Sequence, residues 1–278
     1  MQELKVSALL LTALLTLTGC AGAEPVAAPA SSSAAPQVTV EPEPEPVYET
    51  AALTGVEYLE GENPHLSMPA ISAKIDNTSL GRPQLALNDA DIVYVTRVEV
   101  GLTRLLPVWH SRVPEAIGPV RSVRPVDATI VDPFHGVFVF SGGQVPFKNA
   151  AKATGLVISD EDTEMDNETY YREESRKAPW NLFFKAQALQ ELYASDQPTP
   201  QPGFEFASIP TAVSEGVAIT GLGVKYPEMR SVWDLGTATF PWAAAPQIAW
   251  LRSQDGTPHT QFGGDQVAAK NVVVIEVV

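Results

Sequence analysis

The stretch from residue 71 to residue 143 constrains the fold of this chain more than any other. It contains apolar runs rich in β-branched residues, such as IVYVTRVEV and GVFVF, separated by the turn sequences GRPQ and GPVR. Such runs predict buried strands. No Lys follows Lys74 until Lys148, so every cation in between is an Arg. Arg presents a planar fork of donors that matches carboxylate or phosphate. We therefore expect a sheet whose arginines make contacts of defined geometry.

The same stretch predicts an ordered series of elements, and with it an α+β fold built on a mixed sheet with helices. A β-hairpin is expected where Gly101 allows the chain to reverse. A helix with Pro in its first turn is expected after Arg124, and another after Gly142-Gly143, whose backbone N–H groups would suit an anion. The predicted bounds are strand 70–75, hairpin 91–111, helix 125–132, strand 136–140, helix 145–154 and amphipathic helix 181–194.

The sequence after the proline-rich stretch 196–203 changes character and reads mainly as strands. Four strand-like runs follow, and Asp255-Gly256 supplies a hairpin turn between two of them. The last run, Asn271 to Val278, ends without a turn or cap, which suggests truncation of the C-terminal domain. The four runs are GVAITGLGVKYP, SVWDLG, QIAWLRSQDGTPHTQF and NVVVIEVV.

The first residues predict export and a lipid anchor. About sixteen apolar residues end in Leu17-Thr18-Gly19-Cys20, which resembles a bacterial lipobox, and the run is too short for a comfortable membrane span. Cys20 would carry the lipid and fix the protein at the outer face of the cytoplasmic membrane. The predicted organisation is signal peptide 1–19, disordered Pro/Ala/Glu-rich tether 20–50, larger N-terminal domain 51–196, linker 197–204 and smaller β-rich C-terminal domain 205–278.

Composition excludes several classes of function. The formal charge of −15 over 278 residues argues against a nucleic-acid partner and against docking to an anionic membrane by charge alone. The single Cys excludes an internal disulfide and a CxxC metal site. No GxSxG, HExxH or P-loop is present, and the four His are scattered, so we predict no metal and no cofactor. The acidic stretch from Ser159 to Asp166 could suggest a Ca²⁺ loop, but Met165 stands where an EF-hand needs Gly, which favours a solvated loop.

Charged residues around the hairpin allow two interpretations. Asp76, Asp91 and Glu99 could form a carboxylate cluster for general acid–base chemistry or for a hard metal ion. Alternatively each pairs with an arginine, Asp76 with Arg82 and Glu99 with Arg97 or Arg104, because unpaired buried charges are costly. The arginines could be a solvated face. They could also converge on one pocket with Asp76, in which case Arg82, Arg104, Arg121 and Arg124 would bind an anionic or polyhydroxylated ligand.

Several motifs together resemble the YerB-type lipoprotein family, a family of unknown function in Gram-positive bacteria. They are KIDNTSLGRPQ, ADIVYVTRVEVGLTR, IGPVRSVRP, the SGG strand end, YREESRKAPWNL, and LRSQDGTPH with AAKNVVV. The resemblance implies an exported lipoprotein with two domains and no established reaction. Two positions depart from the expected pattern: Val100 replaces a Gly, and Trp180 replaces a His, which weakens an enzyme interpretation. The candidate ligand-binding residues are Asp76, Asn77, Arg82, Gln84, Glu99, Arg104, Arg121, Arg124, Gly142, Gly143, Arg172 and Arg176.

Three functions remain as hypotheses. The preferred one is a lipid-anchored protein of the cell envelope that binds an anionic or sugar-containing wall polymer through the arginines. The second is a hydrolase or transferase acting on envelope glycan or phosphoester, with Asp76 or Glu99 as the base. The third is a scaffold that recruits another envelope protein.

Overall fold

A computed structural model describes residues 44–161, 168–207, 216–226 and 237–275. Residues 46–278 form one compact unit. The leader, Cys20 and residues 20–43 of the predicted tether lie outside the described residues, and the prediction of a disordered tether as far as residue 50 is wrong for Tyr48–Thr50, which form a strand. Among the helices described, none combines the length and the hydropathy that crossing a membrane requires.

A mixed six-stranded sheet forms the centre of the unit, and its existence confirms the α+β prediction. The predicted hairpin is present, with its strands antiparallel and a 3-10 turn at Glu99–Gly101 between them. The spatial order of the sheet is β4-β6-β3-β8-β9, with β5 paired to β6. Its strands are β3 (Ile71–Ala73), β4 (Ile75–Asp76), β5 (Ile92–Arg97), β6 (Thr103–Trp109), β8 (Val137–Phe140) and β9 (Val157–Asp160).

Both faces of this sheet are covered, which explains the uninterrupted apolar sequence of β8. Val137 and Val139 pack on one face, while Phe138 and Phe140 pack on the other. Successive side chains of a strand point to opposite faces, so a strand buried twice has no polar alternation. Two helices cover the phenylalanine face, α1 (Pro125–Val131) and α2 (Val145–Lys152). Both were predicted, within two residues at their ends.

A three-stranded antiparallel sheet and a third helix cover the valine face. The prediction of one helix from Asn181 to Ala194 is wrong in its first part, because Leu182–Lys185 is a strand. Leu182, Phe183 and Phe184 are all buried, and this strand pairs on both sides, so tertiary pairing overrides the amphipathic helical pattern. The elements are β7 (Ala116–Ile117), β10 (Tyr170–Arg172), β11 (Leu182–Lys185) and α3 (Ala186–Leu192).

The residues after the predicted linker form an antiparallel sheet, as expected, with Asp255-Gly256 turning between β15 and β16. The predicted terminal strand is wrong for residues 271–275, which adopt no regular structure, and residues 276–278 are not described. The run SVWDLG also lies outside the described residues. The strands are β12 (Gly221–Lys225), β13 (Thr237–Ala243), β14 (Ala249–Leu251), β15 (Ser253–Gln254), β16 (Thr257–Pro258) and β17 (Ala268–Ala269). A separate hairpin, β1 (Tyr48–Thr50) with β2 (Glu57–Leu59), precedes the central sheet.

This second six-stranded sheet docks on the central part of the molecule through a backbone bridge and through partly buried polar side chains. Gln84 and Gln261 form a parallel bridge, and Asn88 binds the backbone of Gln266 and Ala268. The linker is also tied down, since the Gln197 amide bonds to the backbone of Gly136 and Gly155. The division into two domains stays a prediction.

Candidate functional site

Pairing within the central sheet places Arg104 at the middle of the candidate site. Arg104 lies on β6 directly opposite Asp76 of β4 on one side and Thr96 of β5 on the other. Its guanidinium donates to the carbonyl of Ser122 at 2.6 Å. The side chain is therefore held against the segment that carries the next two arginines.

Arg121 reaches the same place because its backbone is fixed between two strand ends. Its N–H donates to the Lys74 carbonyl, and its own carbonyl accepts from Ser141 at the end of β8. Its Nε lies 2.7 Å from Oδ2 of the buried Asp76. The N–H does not point along this line, so the contact is an ion pair without a directed hydrogen bond. Both atoms thus keep unused hydrogen-bonding capacity.

Trp180 closes one side of Arg121. The guanidinium carbon lies 5.9 Å from the centre of the indole ring, within the range of a cation–π contact. The indole Nε1 is buried and has no hydrogen-bond partner. Trp180 is the position where the family resemblance led us to expect a His, so at this site a flat aromatic surface replaces an imidazole.

Arg124 completes the group from the N-terminus of α1. Its Nε pairs with Glu99 at 2.7 Å, and one terminal nitrogen donates to the carbonyls of Ser122 and Val123. The carboxylates are therefore paired with arginines, as the second interpretation expected. The partners we predicted are wrong: Asp76 pairs with Arg121 rather than Arg82, and Glu99 pairs with Arg124 rather than Arg97 or Arg104. Such partners depend on the fold of residues 118–124, which sequence separation does not reveal.

We call Arg104, Arg121, Arg124, Asp76 and Glu99 the basic cluster. Burial and the neighbouring guanidinium groups of Arg124 and Arg121 lower the pKa of Arg104 to about 10. Burial by itself would raise the pKa of Glu99, but the hydrogen bond from Arg124 lowers it below its ordinary value. Three cations thus meet two carboxylates, and the cluster carries net positive charge in an acidic protein.

A second, fully buried ion pair underlies the basic cluster. Lys74 Nζ lies 2.6 Å from Asp127 and donates to Thr96 at 2.8 Å. The other Asp127 oxygen accepts from the Arg124 backbone N–H and so caps α1. Burial lowers the pKa of Lys74 and raises that of Asp127. The two charges cancel and leave the net charge of the cluster unchanged.

Gly142 and Gly143 border the basic cluster at the start of α2. The Gly142 carbonyl accepts from Val123, and a Cβ at Gly142 would lie 3.8 Å from the Ser122 hydroxyl. At Gly143 a Cβ would come within 2.7 Å of the Val123 side chain. The predicted proximity of this strand end to the arginines is therefore present, and anion binding there stays a prediction.

Asn77 and Gln84, also predicted to bind a ligand, have their amides occupied by the protein. They belong to a closed circuit of side chains that we call the polar ring, made of Asn77, Gln84, His259, Arg252 and Gln254. Asn77 donates to Gln254 at 2.9 Å, and Gln84 bonds to His259 at 2.7 Å. The ring joins the central sheet to the second six-stranded sheet, so the structure gives these two amides a role in packing.

The other predicted arginines lie outside the basic cluster. Arg176 binds the carbonyls of Gly81 and Pro83 and covers two aromatic rings, which makes it a clamp on the turn after Asp76. Arg172 pairs with Glu161 on a partly exposed surface. Arg82 lines a separate cavity next to the polar ring. The structure therefore brings Arg104, Arg121, Arg124 and Asp76 together and places Arg82 elsewhere, and ligand binding by this group stays a prediction.

The described residues contain no group of three or more His, Cys, Asp or Glu side chains placed to hold a metal ion. Asp91 does not join a carboxylate cluster, since it accepts hydrogen bonds from the backbone and hydroxyl of Ser111 and from the backbone of His110. Of the predicted acidic loop, Ser159 and Asp160 belong to β9 and are buried, while residues 162–167 are not described.

Sequence reasoning did not predict the residues that complete the polar ring or the ion pair beneath the basic cluster. Arg252 and His259 stand in the motif LRSQDGTPH, which carried part of the family resemblance, so a signal for them existed. Lys74 also stands in a motif of that resemblance. Its partner Asp127 had no distinguishing pattern and looked like an ordinary residue of a helical first turn.

Three comparisons with known proteins bear on the chain. A family model described as “Protein of unknown function (DUF3048) N-terminal domain” matches residues 53–200. A protein of Bacillus subtilis (strain 168), described as “Putative lipoprotein YerB”, is 30% identical over 154 residues, which cover 54% of this chain. The match spans 45% of that relative, less than half of its length. The crystal structure of YerB from Bacillus subtilis superposes with a TM-score of 0.65 at 22% identity, over 79% of this chain and 72% of that one, and it supports the fold.

Proposed function

Because the chain belongs to the DUF3048 family, whose function is unknown, we propose a role from the site: an envelope lipoprotein that binds an anionic or sugar-containing wall polymer. The relative described as a lipoprotein supports an envelope location, together with the lipobox-like sequence before Cys20. Lipid on Cys20 would hold the protein on the outer face of the cytoplasmic membrane. The tether would let the folded part reach its ligand.

One observation carries the proposed binding: three guanidinium groups are packed together against only two carboxylates. Burial of like charges is unfavourable, and the lowered pKa of Arg104 expresses that cost. A bound phosphate or carboxylate would relieve it, and the arginine forks suit either anion. The Trp180 ring beside Arg121 adds a flat aromatic surface, which suits the apolar face of a sugar.

The hydrolase alternative receives less support from the same contacts. Asp76 accepts from the Thr78 backbone and hydroxyl, both at 2.6 Å, and pairs with Arg121. Glu99 has a lowered pKa, which makes it a weaker base. No contact described favours the scaffold alternative over binding.

Isothermal titration of the full lipidated chain in detergent tests the proposal, with phosphate-containing wall polymer and phosphate-free glycan as separate ligands. Arg121→Ala should weaken binding by about 2–5 kcal/mol, because it strands the buried Asp76 charge as well as removing a contact. Arg112→Ala is the matched control, since the Arg112 side chain is 70% exposed and pairs with Asp89 at the surface. Equal affinities for wild type and Arg121→Ala, in folded proteins, would refute the proposal.

A further inference from the structure

A cavity of about 300 Å³ lies between the turn after Asp76 and the hairpin formed by β15 and β16. Arg82 and Pro83 line it from the turn, and Gln254, Thr257, His259 and Thr260 line it from the other side. It is distinct from the basic cluster and was not anticipated from sequence.

Two arginines near this cavity pair with no carboxylate of the described residues: Arg82, which lines it, and Arg252, which lies behind the lining residues His259 and Gln254. Arg252 is 5% exposed, yet within the part of the chain that the structure describes its guanidinium bonds only to the neutral acceptors His259 and Gln254, and its Nε has no partner there. The Arg82 side chain makes no hydrogen bond or ion pair with any described residue, and its Nε is buried. Arg82, as a lining residue, therefore has donors available to a ligand, whereas Arg252 can act on a ligand only through its charge. Asp255 at the exposed rim contributes one negative charge against these two positive ones.

The hydrogen bonds of the polar ring hold His259 as a neutral imidazole next to these arginines. Nδ1 must accept from Arg252, so the proton sits on Nε2 and is donated to Gln84. Protonation of Nδ1 would place two cations face to face without an acceptor. Burial together with Arg252 and Arg82 accordingly lowers the pKa of His259 to about 3. The ring supplies no negative charge to the cavity, so among the described residues that line it the exposed Asp255 alone offsets the charges of Arg82 and Arg252.

A buried cation without a counter-ion is costly, and its retention calls for an explanation. Oxyanions satisfy guanidinium donors in a bidentate manner, and the Thr257 and Thr260 side chains in the lining can donate further hydrogen bonds. The cavity is larger than a phosphate ion, so there is room for the molecule that bears the anionic group. We propose that this cavity is a second binding site, for a small molecule carrying a phosphate or carboxylate group, gripped by Arg82 and supported by Arg252.

Arg82 provides a clean variant, because its side chain supports no other described residue. The full chain would be titrated with inorganic phosphate and, separately, with acetate, while the imidazole resonances of His259 are followed by NMR. At pH 7, where both anions are charged and His259 is neutral, saturable binding of either anion should shift those resonances. Arg82→Ala should weaken that binding about tenfold or more.

Arg121→Ala is the control that separates this site from the basic cluster. It should leave the His259 response intact, and Arg82→Ala should conversely leave wall-polymer binding at the basic cluster unchanged. The proposal is overturned if neither anion moves the His259 resonances at about 10 mM, a concentration that would nearly saturate even a site with a millimolar dissociation constant. It is equally overturned if Arg82→Ala binds as tightly as wild type.

Discussion

At the scale of single residues, we expect the largest effects on stability at the buried Lys74–Asp127 ion pair beneath the basic cluster. Both side chains are fully buried, so replacing one strands the charge of the other. Lys74→Met should destabilise the protein by about 3–5 kcal/mol in urea unfolding. Lys177→Met, at an exposed position, should change stability little.

The double variant Lys74→Met/Asp127→Leu tests the reason for that cost. It should be less destabilised than the sum of the two single variants, because no lone charge remains buried. Some loss persists, since Asp127 also caps α1. Strict additivity would show that the two charges act independently and would contradict the ion-pair explanation.

At the scale of elements, the parallel pairing of β3 with β8 depends on one glycine. Gly136 has φ of +83°, and a Cβ there would lie 2.2 Å from the Ala70 carbonyl, which accepts from Val137 at the start of the pairing. Gly136→Ala should therefore be destabilising through both backbone strain and a clash with backbone that cannot move aside.

Gly61 is the matched control position for Gly136, because it also has a positive φ. Its φ is +75° and open space surrounds its Cα, so Gly61→Ala incurs strain alone, about 1–2 kcal/mol. In thermal or urea unfolding, Gly136→Ala should lower the free energy of unfolding by about 1–3 kcal/mol more than Gly61→Ala does. Similar losses in both variants would mean that the chain accommodates the methyl group by shifting β3 away from β8.

At the scale of the whole molecule, the polar ring makes the docking of the second six-stranded sheet sensitive to acid. The pKa of His259 is about 3 in the folded protein and about 6.5 in an unfolded chain, so the unfolded state binds the extra proton first. Stability from this residue is present above pH 6.5 and is lost as pH falls toward 3. The loss should reach roughly 3 kcal/mol between pH 6.5 and pH 4.

Unfolding measured across that range in wild type and in His259→Gln isolates this contribution. Carboxylates titrate in both proteins, whereas the imidazole titrates only in wild type, so the wild-type curve should fall more steeply. Parallel curves would show that the ring does not hold His259 in its neutral form.

The sequence alone was sufficient for features set by local pattern. The β-branched runs on either side of Gly101 gave the hairpin, and Pro125 marked the first turn of α1. The prediction of a helix from Asn181 to Ala194 is wrong in its first part because local pattern does not decide it. LFFK fits a helical face locally, but in the fold it forms a strand paired with β7 and β10. Pairing partners far away in sequence decide such cases, and a single chain does not reveal them.

For the site, the sequence determined the chemistry and the tertiary structure decided the grouping. The use of Arg alone between Lys74 and Lys148 predicted guanidinium groups as the candidate ligand-binding side chains, since residue type is local information. Which arginines meet was decided by strand register, which sets Arg104 opposite Asp76, and by the path of residues 118–124. The same folding carried Arg82 to another cavity and placed Arg252 and His259 beside it, because contacts between distant segments arise only when the sheets pack.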